Sequence, residues 1–194
     1  MKRLFDFIVS TVGILILFFP GLVIALLIFL QDGHGPFYWQ ERIGFGGNPF
    51  QMLKFRSMRK NASQGLQLTV GRDPRITPIG HFIRKYKLDE LPQLINVWVG
   101  DMSLVGPRPE VKRYVDLYTL EQRRVLQVKP GITDYASLRF FEESRLLAES
   151  NNPEQTYIQE IMPLKIQINL EYLSKSSLWE DTKVIFLTLK RMLS

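Results

Sequence analysis

Two adjacent carboxylates, Asp89 and Glu90, stand in the stretch Leu88-Asp89-Glu90-Leu91-Pro92-Gln93, and Gly100-Asp101-Met102-Ser103-Leu104-Val105-Gly106-Pro107-Arg108-Pro109 follows closely. An ionised carboxylate beside a phosphate site can act as a nucleophile or as a metal ligand. The plain alternative is a helix cap followed by a first-turn charge. Arg108 lies between two prolines, which fix the local backbone and present its guanidinium with little conformational freedom. Such an arginine suits a phosphate or a uracil edge; otherwise it is a structural arginine pairing a core carboxylate such as Asp101. Lys54 and Arg56 are two positions apart, so in an extended segment they share a face and form a two-cation cradle for phosphate. The rival is a solvated edge strand. Arg84 lies five residues before Asp89, within reach of a phosphate held near the dyad, although a surface arginine would read the same way.

These groups need elements to hold them. A helix is predicted to begin at Asp89 and run to about Val99, with Pro92 in its first turn, where a missing N–H costs nothing, and Gly100 at its end. Its free N–H groups would keep a carboxylate ionised and attract phosphate. Residues 37–43 and 50–58 read as strands around a turn at 44–49. Residues 61–70 read as a polar loop, and 78–87 as a helix with Phe82, Ile83 and Tyr86 inward. A charged, solvated helix is expected over 111–126. Lys129-Pro130-Gly131-Ile132-Thr133 reads as a rigid turn whose exposed amides could meet a ligand. Residues 134–152 carry no clear pattern. Residues 157–172 and 178–193 read as amphipathic helices, the last one suited either to the core or to a lipid interface.

From Ile8 to Leu30 the chain carries no charged residue and is almost wholly apolar. At about 1.5 Å per residue this run could cross a hydrocarbon core of about 30 Å. Pro20-Gly21 interrupts it, and basic residues flank both ends: Lys2 and Arg3 before; Arg42, Lys54, Arg56, Arg59 and Lys60 after. Each end therefore prefers the cytoplasmic face. A proline-kinked span and a helix that enters and leaves on one side both remain open on these grounds. A secretory signal peptide fits poorly, because the run is too long and no small-residue cleavage pattern follows.

The 194 residues leave enough chain beyond this segment for one domain with its own core. A formal net charge of +6 suits anionic headgroups or nucleotide diphosphates. Nucleic acid is disfavoured, since no recognition helix or aromatic-basic platform is present. With no cysteine and two histidines, thiolate and histidine metal centres are excluded.

The chain resembles the small bacterial sugar transferases, the monotopic phosphoglycosyl transferases. The resemblance runs from Lys2-Arg3-Leu4-Phe5-Asp6 through Gly35-Pro36-Phe37, Gln40-Glu41-Arg42-Ile43-Gly44, Lys54-Phe55-Arg56-Ser57-Met58 and Asp73-Pro74-Arg75-Ile76-Thr77 to the dyad, the Pro-Arg-Pro segment and Lys129-Pro130-Gly131-Ile132-Thr133. It implies transfer of a phosphosugar from a UDP-sugar to polyprenyl (undecaprenyl) phosphate, with release of UMP, as the first membrane step of glycan assembly. It implies a covalent intermediate on Asp89, with Glu90 as partner and Mg²⁺ held by Asp89. Lys54, Arg56, Arg84, Arg108, Pro109, Gly131 and Thr133 become the expected substrate-binding residues. The implied fold is α+β, mostly helical: a re-entrant membrane helix-break-helix over residues 1–33, broken at Pro20 and Gly21. A catalytic domain with a small β-hairpin and interfacial helices follows over 34–194, on the cytoplasmic face of the bacterial inner membrane. A membrane-bound nucleotide-sugar phosphohydrolase and a non-catalytic scaffold are the competing functions. The chain departs from the common family pattern at Asp134-Tyr135-Ala136-Ser137, where many members carry Gly-Trp-Ala-Gln, and at Asn169, where many carry Asp.

Overall fold

The computed structural model describes residues 1–59, 68–71 and 73–193. The loop predicted over 61–70 lies outside the described residues except for Leu68, Thr69 and Val70. The chain is mostly helical, with one antiparallel hairpin and one short parallel pair.

Helix α1 (Lys2–Asp32) covers the apolar run, and Gly33, in the left-handed region at φ 69°, closes it. It is long and apolar enough to cross a membrane, with a mean hydropathy of 3.0 over its most apolar window. Two arms separated by a break were expected; instead the helix continues through Pro20. A proline removes one N–H bond and can bend a helix without ending it when both flanks are strongly apolar. Both ends of α1 touch the rest of the protein. Near its start, Arg3 donates to the carbonyls of Val97 and Trp98, and Asp6 accepts from the Ser103 hydroxyl and the Leu104 N–H. Near its end, Ile28 is buried with Phe55 and Ile83, and the Gln31 side chain accepts from the Ile79 N–H. Between them, Leu15, Ile16, Phe18 and Phe19 are exposed.

The hairpin has the expected place. Strands β1 (Phe37–Ile43) and β2 (Pro49–Phe55) pair antiparallel, from Phe37 opposite Phe55 to Ile43 opposite Pro49. Their turn contains Gly46 and Gly47 at φ 69° and 79°, a conformation that other residues adopt at a cost. Alternation along β2 buries Leu53 and Phe55 and leaves Lys54 between them for the other face.

Helix α2 (Pro78–Lys85) starts where Thr77 accepts from the Gly80 N–H and Pro78 opens the first turn. Ile83 is inward as expected, but Phe82 is exposed and rests edge-on against Tyr86. One turn of helix cannot bury both neighbours, and Ile83 faces the α1–hairpin cluster. Helix α3 (Gln93–Val99) is shorter than predicted. Asp89 and Glu90 lie before it, on a 3₁₀ turn (Leu88–Glu90) entered through Lys87 at φ 53°. Pro92 cannot donate to Leu88, so the chain closes with tighter bonds: Glu90 N–H to Lys87 and Leu91 N–H to Leu88. Gly100, at φ 104°, ends α3. The Asn96 side chain takes the Leu53 N–H and donates to the Gln51 carbonyl, fastening α3 to β2.

Strands β3 (Ser103–Val105) and β4 (Gly131–Thr133) pair in parallel. Between them the charged helix expected over 111–126 is two short pieces, α4 (Lys112–Val115) and a 3₁₀ segment (Gln122–Gln127). The interruption is a reciprocal cap: Gln122 N–H donates to the Thr119 hydroxyl, and Thr119 N–H to the Gln122 side chain. Its charged residues are solvated as expected, while Tyr114, Val115, Tyr118 and Val125 turn inward to the core. Helices α5 (Tyr135–Arg139) and α6 (Glu143–Ala148) fill the unassigned region. Helix α7 (Pro153–Thr156) runs through a π turn (Tyr157–Ile161) into α8 (Met162–Ser174), and α9 (Leu178–Leu193) lies where predicted. Helix α9 buries Val184 in the core while Trp179, Phe186 and Leu189 stay exposed.

Candidate active site

The tight turn at Leu88–Glu90 opens on a cleft of about 1530 Å³. Val9, Gly13 and Leu17 of α1 line one part of the cleft; Arg59, Arg75 and Arg84 line another. Its wall therefore includes both the apolar helix and a cationic surface.

Glu90 is gripped. The Arg108 guanidinium donates to both of its oxygens, with Nη1 3.1 Å from Oε2, and the Lys54 ammonium lies 3.4 Å from Oε1. The bidentate pairing matches the planar fork of arginine to a carboxylate. Burial alone would push the Glu90 carboxyl up, but Arg108 and Lys54 hold it well below the usual carboxylate range. The arginine suggested by its prolines thus has a dyad carboxylate as its partner rather than Asp101, which is exposed.

Asp89 is the opposite case. It is buried and lines the cleft, yet no described residue donates a hydrogen bond to its side chain. Burial and the neighbouring Glu90 charge push its carboxyl up, against the pull of Lys54, Arg84 and Lys87. It does not act as a helix cap. Burial pushes the Lys54 ammonium down to about 8 despite Glu90, and depresses Lys87 in the same way. Lys54, Arg84, Lys87 and Arg108 thus face two carboxylates, an excess of positive charge suited to a diphosphate.

The other predicted residues divide. Arg56 and Arg84 line the cleft with Lys54. Arg84 donates to the Ser57 and Thr69 hydroxyls at 3.3 and 2.8 Å, and Arg56 leaves one buried nitrogen without a partner among the described residues. Thr133 lines the cleft too, its hydroxyl 2.6 Å from that of Thr188. Of the amides expected to be exposed in residues 129–133, that of Gly131 is spent inside the protein. Gly131 is buried, and its N–H donates to the Pro107 carbonyl at 3.0 Å. A side chain there would collide with Gly106, whose nitrogen would lie 2.1 Å from a Cβ. The Pro109 carbonyl accepts from Arg42.

Arg42, Glu110 and Tyr157 were not singled out from the sequence as site residues. The Arg42 Nη1 reaches both the Pro109 carbonyl and the Glu110 carboxylate, and the Tyr157 hydroxyl donates to Glu110. Glu110 follows Pro109 directly, which was a usable signal; Tyr157 lies 47 positions away and gave none. Of the departures from the family pattern, Asp134 caps α5, Ala136 is fully buried, and the Tyr135 hydroxyl donates to Glu180 at 2.5 Å. Ser137 lines the cleft. Asn169 is buried on α8, with its side-chain oxygen unpartnered among the described residues.

Among the described residues no three Asp, Glu, His or Cys side chains converge as a metal cage. The unbonded Asp89 carboxylate nevertheless fits Mg²⁺, which takes one or two carboxylates and completes its shell with substrate phosphates and water.

A UDP-galactose-lipid carrier transferase of Erwinia amylovora is 36% identical over 97% of this chain and 39% of its own length. A UDP-glucose:undecaprenyl-phosphate glucose-1-phosphate transferase of Caulobacter vibrioides is 36% identical over the whole chain and 70% of its own length. A UDP-N-acetylgalactosamine-undecaprenyl-phosphate N-acetylgalactosaminephosphotransferase of Aeromonas hydrophila is 34% identical over the whole chain and 44% of its own length. The chain thus spans about two fifths of the length of several of these relatives. The family model described as bacterial sugar transferase matches residues 1–194, and the chain belongs to that family.

Proposed function

We propose that this protein transfers a phosphosugar from a UDP-sugar to polyprenyl (undecaprenyl) phosphate through a covalent intermediate on Asp89, releasing UMP. The observation that carries the reading is the unequal state of two neighbouring carboxylates. Glu90 is committed to Arg108 and Lys54, while Asp89 lines the cleft with no hydrogen bond from a described residue. The names of the relatives, which cover glucose, galactose and N-acetylgalactosamine, support a UDP-hexose class of donor.

In this reading an Asp89 oxygen attacks the phosphorus that bears the sugar. The bond from that phosphorus to the bridging oxygen breaks, and UMP leaves with the electron pair. An oxygen of polyprenyl phosphate then attacks the same phosphorus. The acyl-phosphate bond breaks, the Asp89 carboxylate returns, and polyprenyl-diphosphate-sugar is formed. Covalent catalysis lets one site serve a water-soluble donor and then a lipid acceptor. Lys54, Arg84 and Arg108 receive the charge that builds on the phosphoryl oxygens. Mg²⁺ held by Asp89 would offset the repulsion between a carboxylate and a diphosphate.

The same reading places α1 in the bacterial inner membrane as a re-entrant helix bent at Pro20 and Gly21, with residues 34–194 on the cytoplasmic face. Support comes from its ends. Arg3 and Asp6 at one end and Ile28 and Gln31 at the other bind the same catalytic body. A straight span would carry one end about 30 Å away, across the bilayer. The exposed Trp179, Phe186 and Leu189 of α9 suit a lipid interface. A single cysteine at Lys2 should label only from the cytoplasmic side; labelling only from the periplasm overturns the re-entrant topology.

The deciding experiment for the chemistry is mass spectrometry of enzyme quenched after mixing with UDP-sugar and Mg²⁺, without acceptor. A phosphosugar adduct on the peptide containing Asp89 is expected. An adduct on Glu90, or turnover that needs both substrates together and leaves no adduct, overturns the assignment. UMP release that ignores polyprenyl phosphate would make the protein a phosphohydrolase.

A further inference from the structure

The peptide unit that joins Pro107 to Arg108 is held at both of its polar atoms by one segment. The Pro107 carbonyl accepts from the Gly131 N–H at 3.0 Å, and the Arg108 N–H donates to Oδ2 of Asp134 at 3.1 Å. Asp134 is 1% exposed, and its carboxylate also accepts from the Ser137 N–H at 2.6 Å and the Ser137 hydroxyl at 3.2 Å. Pyrrolidine rings fix φ at residues 107 and 109, and a following proline restricts the backbone of residue 108. Fixing the 107–108 peptide plane therefore removes most of the remaining freedom at the root of the Arg108 side chain. That side chain ends on Glu90.

We infer that Asp134 is a positioning residue, which sets the Arg108 guanidinium on the dyad by clamping the Arg108 backbone. The clamp is a buried carboxylate, and a residue without an acceptor side chain could not make the same contacts. Asp134 joins two tasks: it caps α5 and ties that helix to the loop carrying Arg108. The direction of effect is from Asp134 through Arg108 to Glu90, with no contact between Asp134 and the donor required.

The inference about turnover rests on the function proposed above, so two measurements on the full chain in lipid nanodiscs separate them. The first needs no substrate. Arg108 has the one backbone N–H in Pro107-Arg108-Pro109, so hydrogen–deuterium exchange of this stretch reports that amide alone. Asp134→Ala should raise its exchange at least tenfold; unchanged protection overturns the clamp. The second is a double-mutant cycle in UMP release, with Asp134→Ala and Arg108→Lys. Asp134→Ala should lower kcat by roughly 10- to 100-fold, the usual cost of a small misplacement, with a smaller change in donor KM. In the Arg108→Lys background it should cost less than about twofold, because the interaction it serves is already lost. Equal losses in both backgrounds would mean that Asp134 supports only the fold. Asp134→Asn keeps the size of the side chain but cannot accept from both N–H groups, and it replaces the alanine variant if that fails to fold. If the wild-type enzyme releases no UMP from any UDP-sugar, the proposed function fails while the exchange result still decides the clamp.

Discussion

Two pairs of acidic residues are buried to a similar degree and treated in opposite ways. Asp6 and Asp181, where α1 meets the core, are 3% and 1% exposed; Asp89 and Glu90 are 6% and 9% exposed. At the anchor every carboxylate has its donors. Asp6 takes the Ser103 hydroxyl and the Leu104 N–H, and Asp181 takes Lys2 and the Tyr172 hydroxyl. At the dyad two acids are adjacent, one is left without a described donor, and several cations gather with few partners. A buried polar group that is fully paired adds specificity to a fold, whereas one left unpaired is costly and persists where it is needed for another purpose. Under the proposed function, the anchor serves stability and the dyad a reaction.

The comparison breaks most visibly if the two sites respond alike to loss of a carboxylate. Asp89→Asn should lower UMP release by a factor of about 10³ or more, because an amide is a poor nucleophile and a poor Mg²⁺ ligand. Its melting temperature should stay level or rise, since a repulsive, undersolvated charge next to Glu90 has been removed. A variant that retains activity, or one that unfolds, would erase the contrast. Asp6→Ala should show the reverse. It leaves a buried hydroxyl and a buried N–H without an acceptor, at about 1–3 kcal/mol each, and should lower the midpoint of denaturation in detergent. The folded fraction should keep most of its specific activity.

A smaller effect sharpens the comparison by pH. Burial pushes Lys54 down to about 8, and it faces Glu90, Arg108, Asp89 and Arg42. As pH rises through 8 the ammonium beside Glu90 is lost, so turnover should fall by about tenfold per unit above that point. Stability should move the other way. Between pH 8 and about 10.5 the unfolded chain holds the Lys54 proton and the folded one does not, so stability rises across that window. Lys87, depressed by burial as well, contributes with the same sign. Lys54→Arg should remove the fall in turnover, because a guanidinium stays charged; an unchanged profile would assign that limb to another group.

Local chemistry made much of this protein legible before any contact was known. The apolar run, the hairpin of Phe37–Ile43 and Pro49–Phe55 and the last helix follow from hydrophobic periodicity and turn residues, which act over a few positions. The dyad, the prolines around Arg108 and the spacing of Lys54 and Arg56 marked the site because unusual residue types stood close together. Some errors were also local. Pro92 turned the expected helix start into a 3₁₀ turn, and Thr119 with Gln122 divided a helix that charge pattern alone would have kept whole.

The sequence by itself determined which groups are candidates for its chemistry and which segment is apolar enough for a membrane. Only tertiary structure decided how the charges are shared: that Arg108 and Lys54 take Glu90, that Asp89 is left over, and that Asp134 and Gly131 hold the loop on which Arg108 sits. The reason is physical. Helix and strand preferences depend on neighbours a few residues apart. The partner of a buried charge is chosen by whichever group packing brings within about 3 Å, here from 18, 26 and 36 positions away.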